Sequence, residues 1–279
     1  YESYLVRSVI SEFSGFLLFK EISNRLKKEG NRDLGKLFQF LARDEARHAG
    51  FLSRALVAEG IEVDLPHLGG KRAATWFPIS WVIYSVYLSE KIGYWRYILM
   101  DRHLKANPDQ AFAPLFDFFE PWCQDENRHG DCFTVMMRCW PGITKGFRGK
   151  LLSRFFLWSV FLTHTLTVCE RGEFYELLGI DPKEFDEEVI KRTNHTSKNA
   201  FPWVFNLDDN KFWDLRNKII ESFRAFVGAK GLTKPVKFVK FATLIFKQFA
   251  LPMEKTNALR YDKNVNFTGQ DILNFWTDK

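Results

Sequence analysis

The chain has 279 residues, enough for one large domain or a domain with an added lobe. Forty Lys and Arg against 34 Asp and Glu leave a net charge of +6, and the charges are interspersed, so no basic arm for nucleic acid is expected. Seventeen Gly and 10 Pro exclude collagen-like and low-complexity chains, and four Cys without a Cys-x-x-Cys give no support to a disulfide scaffold or a thiolate metal site and point to a reducing compartment.

Helical periodicity dominates along the chain. A first helix is expected over Leu5 to Lys28, closed by Gly30-Asn31, and a second over Arg32 to Ala58, stopped at Gly60. The stretch from Asp64 to Gly70 reads as a longer link. A third helix, Trp76 to Lys105, is broken by Asn107-Pro108, and a fourth runs from Pro114 to Cys139, ending at Pro141-Gly142. This is a four-helix set with two tight hairpins. A fifth, very apolar helix covers Lys150 to Leu178. Asp181-Pro-Lys-Glu184 is a helix start with Asp as cap and Pro in the first turn. Lys211 to Val227 and Pro235 to Ala250 follow as amphipathic helices. In the last, Phe238, Val239, Ala242, Ile245, Phe246 and Phe249 share one side, while Lys237, Lys240 and Lys247 fall mostly on the other. That pattern suits an interfacial membrane helix, or a helix packed on its own domain with solvated lysines.

The expected organisation is a bundle over residues 1–142, additional helices packed on it over 143–230, and a basic amphipathic helix with a tail over 231–279. The longest apolar run, Phe155 to Thr163, is flanked by Arg154 and His164 and falls short of the roughly 20 residues of a spanning helix. No transmembrane helix is expected. The chain opens at Tyr1 in helix-like sequence without a methionine and reads as part of a longer protein, so the lack of a signal peptide carries little weight. The 29 Phe, 9 Trp and 8 Tyr call for a large aromatic core, an aromatic ligand site or a greasy face.

Two segments share a pentamer: Asp44-Glu-Ala-Arg-His48 and Asp125-Glu-Asn-Arg-His129. Glu at i and His at i+3 lie on one helix face, so each pentamer sets a carboxylate beside an imidazole. A single Glu-x-x-His is commonly a pair of solvated neighbours. Two of them, on the second and fourth helices of a four-helix set, match the carboxylate-bridged di-iron plan, in which the other two helices each add one Glu. If the first turn centres near residue 30, the partner of Glu45 and His48 lies near residues 12 to 15, where Glu12 stands. If the second centres near 108, the partner of Glu126 and His129 lies near 87 to 90, where Glu90 stands. Glu21 would sit about 13 Å lower along the axis. The expected metal ligands are therefore Glu12, Glu45, His48, Glu90, Glu126 and His129. Such a set neutralises two ferrous ions and leaves positions for dioxygen. Asp44 and Asp125 are natural acceptors for the far ring nitrogens, and Arg47 and Arg128 either pair with these carboxylates or form ordinary surface ion pairs.

The stretches Ser11 to Glu21, Arg43 to Leu52, Tyr87 to Tyr97 and Trp122 to Asp131 resemble the aerobic magnesium-protoporphyrin IX monomethyl ester oxidative cyclase family. The resemblance covers residues 1 to about 200, including the lengths between motifs, and the last eighty residues share it less distinctly. It implies an all-α, ferritin-like four-helix bundle with additional C-terminal helices, and the same six ligands for two iron ions. It implies a dioxygen-dependent monooxygenase that forms the isocyclic fifth ring of (bacterio)chlorophyll from a magnesium-porphyrin, giving protochlorophyllide. Without a dinucleotide fingerprint in the sequence, electrons from NADPH would come through a ferredoxin-like donor. The resemblance also implies a small auxiliary subunit, peripheral contact with the cytoplasmic side of photosynthetic membranes, and a protein that is not secreted and binds no nucleic acid.

A porphyrin pocket should offer aromatic walls and a cation. Tyr84, Tyr87, Tyr94, Trp95 and Arg96 lie near Glu90 in sequence and are candidates, with core packing as the plainer role. His67, His103, His164 and His195 are candidates for an axial ligand to magnesium, with a surface or hydrogen-bonded role as the plainer one. Cys123 and Cys132 read as small buried residues. Two other readings use the same ligands: a ferritin-like iron-storage protein, and a radical-generating subunit.

Overall fold

The computed structural model describes residues 2–61, 63–65, 78–139 and 141–257. The expected start of the third helix at Trp76, most of the Asp64–Gly70 link, His67 and the C-terminal tail lie outside them. Helices α1 (Glu2–Lys28) and α2 (Arg32–Ala58) form the first hairpin. Gly30 makes the turn at φ +89°, a conformation that side chains resist, and Asn31 caps α2 by accepting from the Leu34 N–H. Ser23 donates to the Gly35 carbonyl at 2.6 Å, and a Cβ at Gly35 would stand 2.6 Å from Lys27 Cγ, so the helices touch closely here.

The second hairpin is α3 (Ile79–Ala106) and α4 (Phe119–Cys139), joined through two 3-10 turns at Pro108–Gln110 and Pro114–Phe118. The helix expected from Pro114 therefore starts later as an α-helix. Pro121 is the reason: it has no N–H and its ring would strike the carbonyl of residue 117 in a helix running through, whereas in the first turn of α4 it costs nothing.

Beyond the bundle come α5 (Pro141–Thr144), α6 (Gly146–Glu170), α7 (Gly172–Leu177), α8 (Pro182–Ser197), α9 (Asn210–Val227) and α10 (Thr233–Phe249). The single helix expected over Lys150 to Leu178 is two, broken at Arg171-Gly172. Asp181 caps α8 as its sequence implies, accepting from the Glu184 N–H at 2.8 Å. Two three-residue strands, β1 (Trp203–Phe205) and β2 (Met253–Lys255), pair antiparallel with Val204 opposite Glu254. Among the described residues the fold is all-α with this one small ribbon.

The tightest packing is α1 on α2 and α3 on α4, with α2 meeting α4 across the bundle, while α1 and α3 stand apart. Leu5, Leu52, Leu88, Phe119 and Phe133 are fully buried, and each such side chain contributes roughly 1.5–3 kcal/mol of transfer free energy. α6 and α8 pack on α3, and α9 and α10 pack on α6. Inside this layer Asp186 of α8 accepts from His164 Nδ1 (2.7 Å), Thr165 Oγ1 (2.9 Å) and Arg216 Nη1 (2.9 Å), so a buried charge is fully met. α6, at 25 residues, is long and apolar enough to cross a bilayer, which the shorter uninterrupted run did not suggest. Its His164 and Thr165 are committed to Asp186, and it packs on α3, α8, α9 and α10, with Phe147, Leu151 and Phe155 left exposed.

Candidate metal centre

One side chain from α1 and one from α3, and two each from α2 and α4, turn into the middle of the bundle. Glu12, Glu45, Glu90 and Glu126 are all under a tenth exposed, and His48 and His129 are nearly sealed. Four carboxylates at such depth are untenable without cations or protons. They fall into two overlapping donor sets, Glu12, Glu45, His48 and Glu126, and Glu45, Glu90 and His129. Within each set the ligand atoms lie within 4.8 Å of one another, and Glu45 belongs to both.

The imidazoles face these sets through Nδ1. His48 Nδ1 lies 3.4 Å from Glu12 and 3.6 Å from Glu126, and His129 Nδ1 lies 3.2 Å from both Glu45 and Glu90. The backs of the rings are crossed between hairpins. His48 Nε2, from α2, is 3.3 Å from Asp125 of α4; His129 Nε2, from α4, is 3.5 Å from Asp44 of α2. Arg47 pairs with Asp125 across the bundle and lies 3.4 Å from Asp44 on its own helix, and Arg128 lies 3.4 Å from Asp125. Both aspartates thus lie behind the imidazoles of the opposite hairpin, with both arginines on them rather than on the glutamates.

Electrostatics follow from this geometry. Burial, then the charges of Glu90 and Glu12, push the Glu45 and Glu126 carboxyls well above their usual range. Burial alone would lower His48, but the hydrogen bond to Asp125 and the charge of Glu12 outweigh it and lift the ring to about 9. His129 is raised likewise: burial opposes, and Asp44, Glu45 and Glu90 win. The His48 hydrogen bond holds Asp125 down to about 2 against some desolvation, and the His129 bond lowers Asp44. This protein-only cluster asks for positive charge.

The residues fit a pair of divalent ions. Glu45 Oε1 and His48 Nδ1 are buried, aimed into the site and without a hydrogen-bond partner. The donor set of hard carboxylates and borderline imidazoles suits iron. Four carboxylates and two neutral imidazoles carry the charge that two divalent cations cancel.

Two supporting features escaped the sequence reading. Ser11-Glu12-Phe-Ser-Gly15 and Ser89-Glu90-Lys-Ile-Gly93 share a Ser-Glu-x-x-Gly pattern, a second repeat in register with the first. Its glycines make room for the neighbouring ligands: a Cβ at Gly15 would stand 2.8 Å from Glu45 Oε2, and one at Gly93 3.3 Å from Glu126 Oε2. The second feature is Trp122, one turn before Glu126, whose indole N–H donates to Glu126 Oε1 at 2.6 Å.

Where α1 and α3 stand apart, a cavity of about 320 Å3 reaches the cluster. Glu12, Glu45, Glu90 and Glu126 form one wall, Ser11, Ser14, Ser85 and Ser89 line it further, and Arg96 and Tyr97 also border it. Of the pocket candidates named from the sequence only Arg96 borders the cavity, and the four aromatic ones are placed elsewhere. Tyr84 and Tyr87 are buried against Phe201, Tyr94 packs on Trp95, and Trp95 donates to Thr196. His103 bonds Gln110 and the Leu178 carbonyl, His164 bonds Asp186, and His195 lies exposed in a separate groove. Cys123 and Cys132 are unpaired thiols whose ionisation burial pushes up, as expected of small packing residues.

A rubrerythrin family model matches residues 3–137, the span of the two hairpins. A magnesium-protoporphyrin IX monomethyl ester [oxidative] cyclase of Prochlorococcus marinus (strain MIT 9313) is 75% identical over 261 residues, 94% of this chain and 75% of the relative. Cyclase 2 of Thermosynechococcus vestitus is 53% identical over 248 residues, 89% of this chain and 70% of the relative. Cyclase 2 of Nostoc sp. (strain PCC 7120) is 49% identical over 250 residues, 87% of this chain and 69% of the relative. No solved structure matches. With identity this high over nearly its whole length, and with the buried carboxylate and imidazole ring of a ferritin-like bundle, the chain belongs to the magnesium-protoporphyrin IX monomethyl ester [oxidative] cyclase family.

Proposed function

We propose that this chain is the oxygen-dependent di-iron oxidoreductase that closes the isocyclic fifth ring of (bacterio)chlorophyll, converting magnesium-protoporphyrin IX monomethyl ester to protochlorophyllide. The observation that carries this reading is the ring of six buried side chains, four of whose carboxylates line a cavity, in a chain of this family. Glu12, Glu45, His48, Glu90, Glu126 and His129 would hold two iron ions. When bound, such a pair delivers electrons to dioxygen and the oxidising power that a substrate C–H bond requires.

The chain's own residues set the conditions. The four carboxylates match the charge of the ions, so the loaded site is neutral in a water-poor interior. Asp125, and Asp44 at the longer 3.5 Å, stand behind the imidazole Nε2 atoms, where their charge favours the ring proton and leaves Nδ1 for the ions. The Trp122 N–H fixes one oxygen of Glu126, whereas Glu45 Oε1 faces the His129 ring at 3.2 Å and belongs to both donor sets. At about 320 Å3 the cavity is at the low end of small-molecule pockets, with room for one edge of a macrocycle and its side chain.

Dioxygen is the co-substrate in this reading, and electrons come from NADPH through a ferredoxin-like donor. The net charge of +6 suits an acidic partner. A small auxiliary subunit and peripheral contact with the photosynthetic membrane complete it. A band of aromatic rings supports the membrane contact: Trp81 meets Phe155, Phe155 meets Trp158, Trp158 meets Phe249, and Phe249 meets Phe246. Phe147, Leu151, Phe238 and Phe246 are exposed on the same helices. The division at 142 and 230 belongs to this reading too, with the last helix serving contact rather than catalysis.

The test is aerobic turnover. Ferrous protein with a donor should consume dioxygen faster when the magnesium-porphyrin ester is added, and protochlorophyllide should accumulate. Iron oxidation indifferent to porphyrin would make it a storage protein instead.

A further inference from the structure

Among the described residues the two fully buried basic side chains are matched by anions. Arg216 meets Asp186 at 2.9 Å, and Lys91 meets Asp131 at 2.6 Å. Arg96, bordering the cavity beside the cluster, meets none. Its Nη2 donates to the Tyr97 hydroxyl at 2.8 Å, its guanidinium lies 4.6 Å from the Tyr97 ring centre, and its Nε is buried without a partner. Among the described residues no carboxylate lies within ion-pair distance of it.

The surroundings add positive charge and unmet polar atoms. Arg171, likewise without an ion pair among the described residues, stands 5.3 Å over the Tyr4 ring, and its Nε is also buried and unpartnered. The hydroxyls of Tyr4 and Tyr175 are buried without partners too. Arg96, on the cavity edge with a second unpaired guanidinium and buried tyrosines behind it, has the make-up of a receptor lacking its anion.

We propose that Arg96 binds the free carboxylate of the substrate, an inference that rests on the porphyrin reading above. A monomethyl ester of a porphyrin dicarboxylic acid keeps one carboxylate. The two propionate side chains of a protoporphyrin hang from neighbouring rings on one edge, so presenting the esterified one to the cluster sets the free one alongside. Arg96 and Glu90 border the same cavity and are six residues apart on α3, about 9 Å along the axis, which suits that separation. The planar guanidinium takes a carboxylate through two parallel N–H donors, and a bound carboxylate satisfies the buried Nε. Arg96 thereby orients the ring, selecting which propionate faces the glutamates.

The experiment is a fluorescence titration of the anaerobic iron-loaded protein with two probes, magnesium-protoporphyrin IX monomethyl ester and its dimethyl ester. Wild type should prefer the monoester by about 10- to 100-fold, the range of a charge-assisted pair. R96Q should bind both esters equally, with the dimethyl ester bound as in wild type, and R96K should recover part of the preference. A purely structural role for Arg96 would weaken both probes together. If wild type shows no preference, or R96Q keeps it, the assignment of Arg96 is overturned while the porphyrin reading stands, and the wild-type comparison decides this even should R96Q not fold. If wild type binds neither ester, both fall.

Discussion

The two hairpins carry the same inner ring and different backing. Glu12, Glu45 and His48 of the first correspond to Glu90, Glu126 and His129 of the second, inside matching Ser-Glu-x-x-Gly and Asp-Glu-x-Arg-His frames. Four residues before the α2 glutamate stands Leu41, and four before the α4 glutamate stands Trp122, whose N–H pins Glu126. After Glu12 comes Phe13; after Glu90 comes Lys91, buried and bound to Asn127 and Asp131. The contrast teaches that the atoms aimed at the centre are held to one pattern while the row behind them is free to diverge. The row behind sets which carboxylate is fixed and which can move.

The largest effect should come from removing the equivalent ligands. Glu45→Ala and Glu126→Ala should each take turnover to background and lower iron from two per chain, by metal analysis, with helicity retained. Full activity in either variant would break the equivalence of the halves. Next come the crossed supports. Asp125→Asn and Asp44→Asn should cost about 10–100-fold in metal affinity or turnover. Asp125 should cost more, because it lies closer to its imidazole and is paired with Arg47 of the opposite hairpin, whereas both arginines on Asp44, Arg43 and Arg47, come from its own helix. Equal losses would show that the second row is as symmetric as the first.

Trp122→Phe removes the N–H and part of the ring volume while keeping an aromatic ring beside His48 and Tyr97. Leaving the buried Glu126 oxygen unmet should lower stability by about 1–3 kcal/mol in the metal-free protein and by less once iron is bound, read by thermal unfolding. The two glycines should then separate. Gly15→Ala drives a Cβ to 2.8 Å from Glu45 and should weaken iron binding, whereas Gly93→Ala, at 3.3 Å from Glu126, needs only a small adjustment and gains helix propensity of up to about 1 kcal/mol. Identical outcomes would mean that Glu45 has slack the geometry does not show.

The smallest effect is the pH dependence of the metal-free protein. Glu45 and Glu126 are raised by burial and by Glu90 and Glu12, so their contribution is full below the ordinary value of 4.5 and is lost as pH rises through the raised one. His48, lifted to about 9, contributes below its ordinary 6.5 and loses that contribution as pH passes 9. Asp125 runs the other way, contributing above 3.8 and losing its share as pH falls toward 2. The melting temperature without metal should therefore decline from mildly acidic toward alkaline pH, while iron flattens the slope because its binding displaces those protons. A slope unchanged by iron would separate the ion site from these carboxylates.

The long helices were legible because a 3.6-residue period persists over more than twenty residues and Gly30 and Gly60 end it at positive φ. The convergence of the six side chains was legible because hairpin geometry turns sequence separation into height along the bundle. Short features were not. Trp203–Phe205 and Met253–Lys255 are too brief to show alternation, and their pairing joins segments fifty residues apart. Arg171-Gly172 carries no proline to announce its break. Trp122 reads as one more core aromatic until its N–H is seen on a carboxylate, and Arg96 as one of several pocket candidates near Glu90 until its missing counter-charge is seen.

The crossed aspartates have a consequence for assembly and ancestry. Each imidazole is held from behind by the opposite hairpin, so a hairpin cut from the chain would own three donors and no support for its ring. Two copies of one hairpin set face to face would be complete. A single αα unit working as a symmetric pair, later joined end to end by duplication, could thus have carried the ion pair before this chain existed.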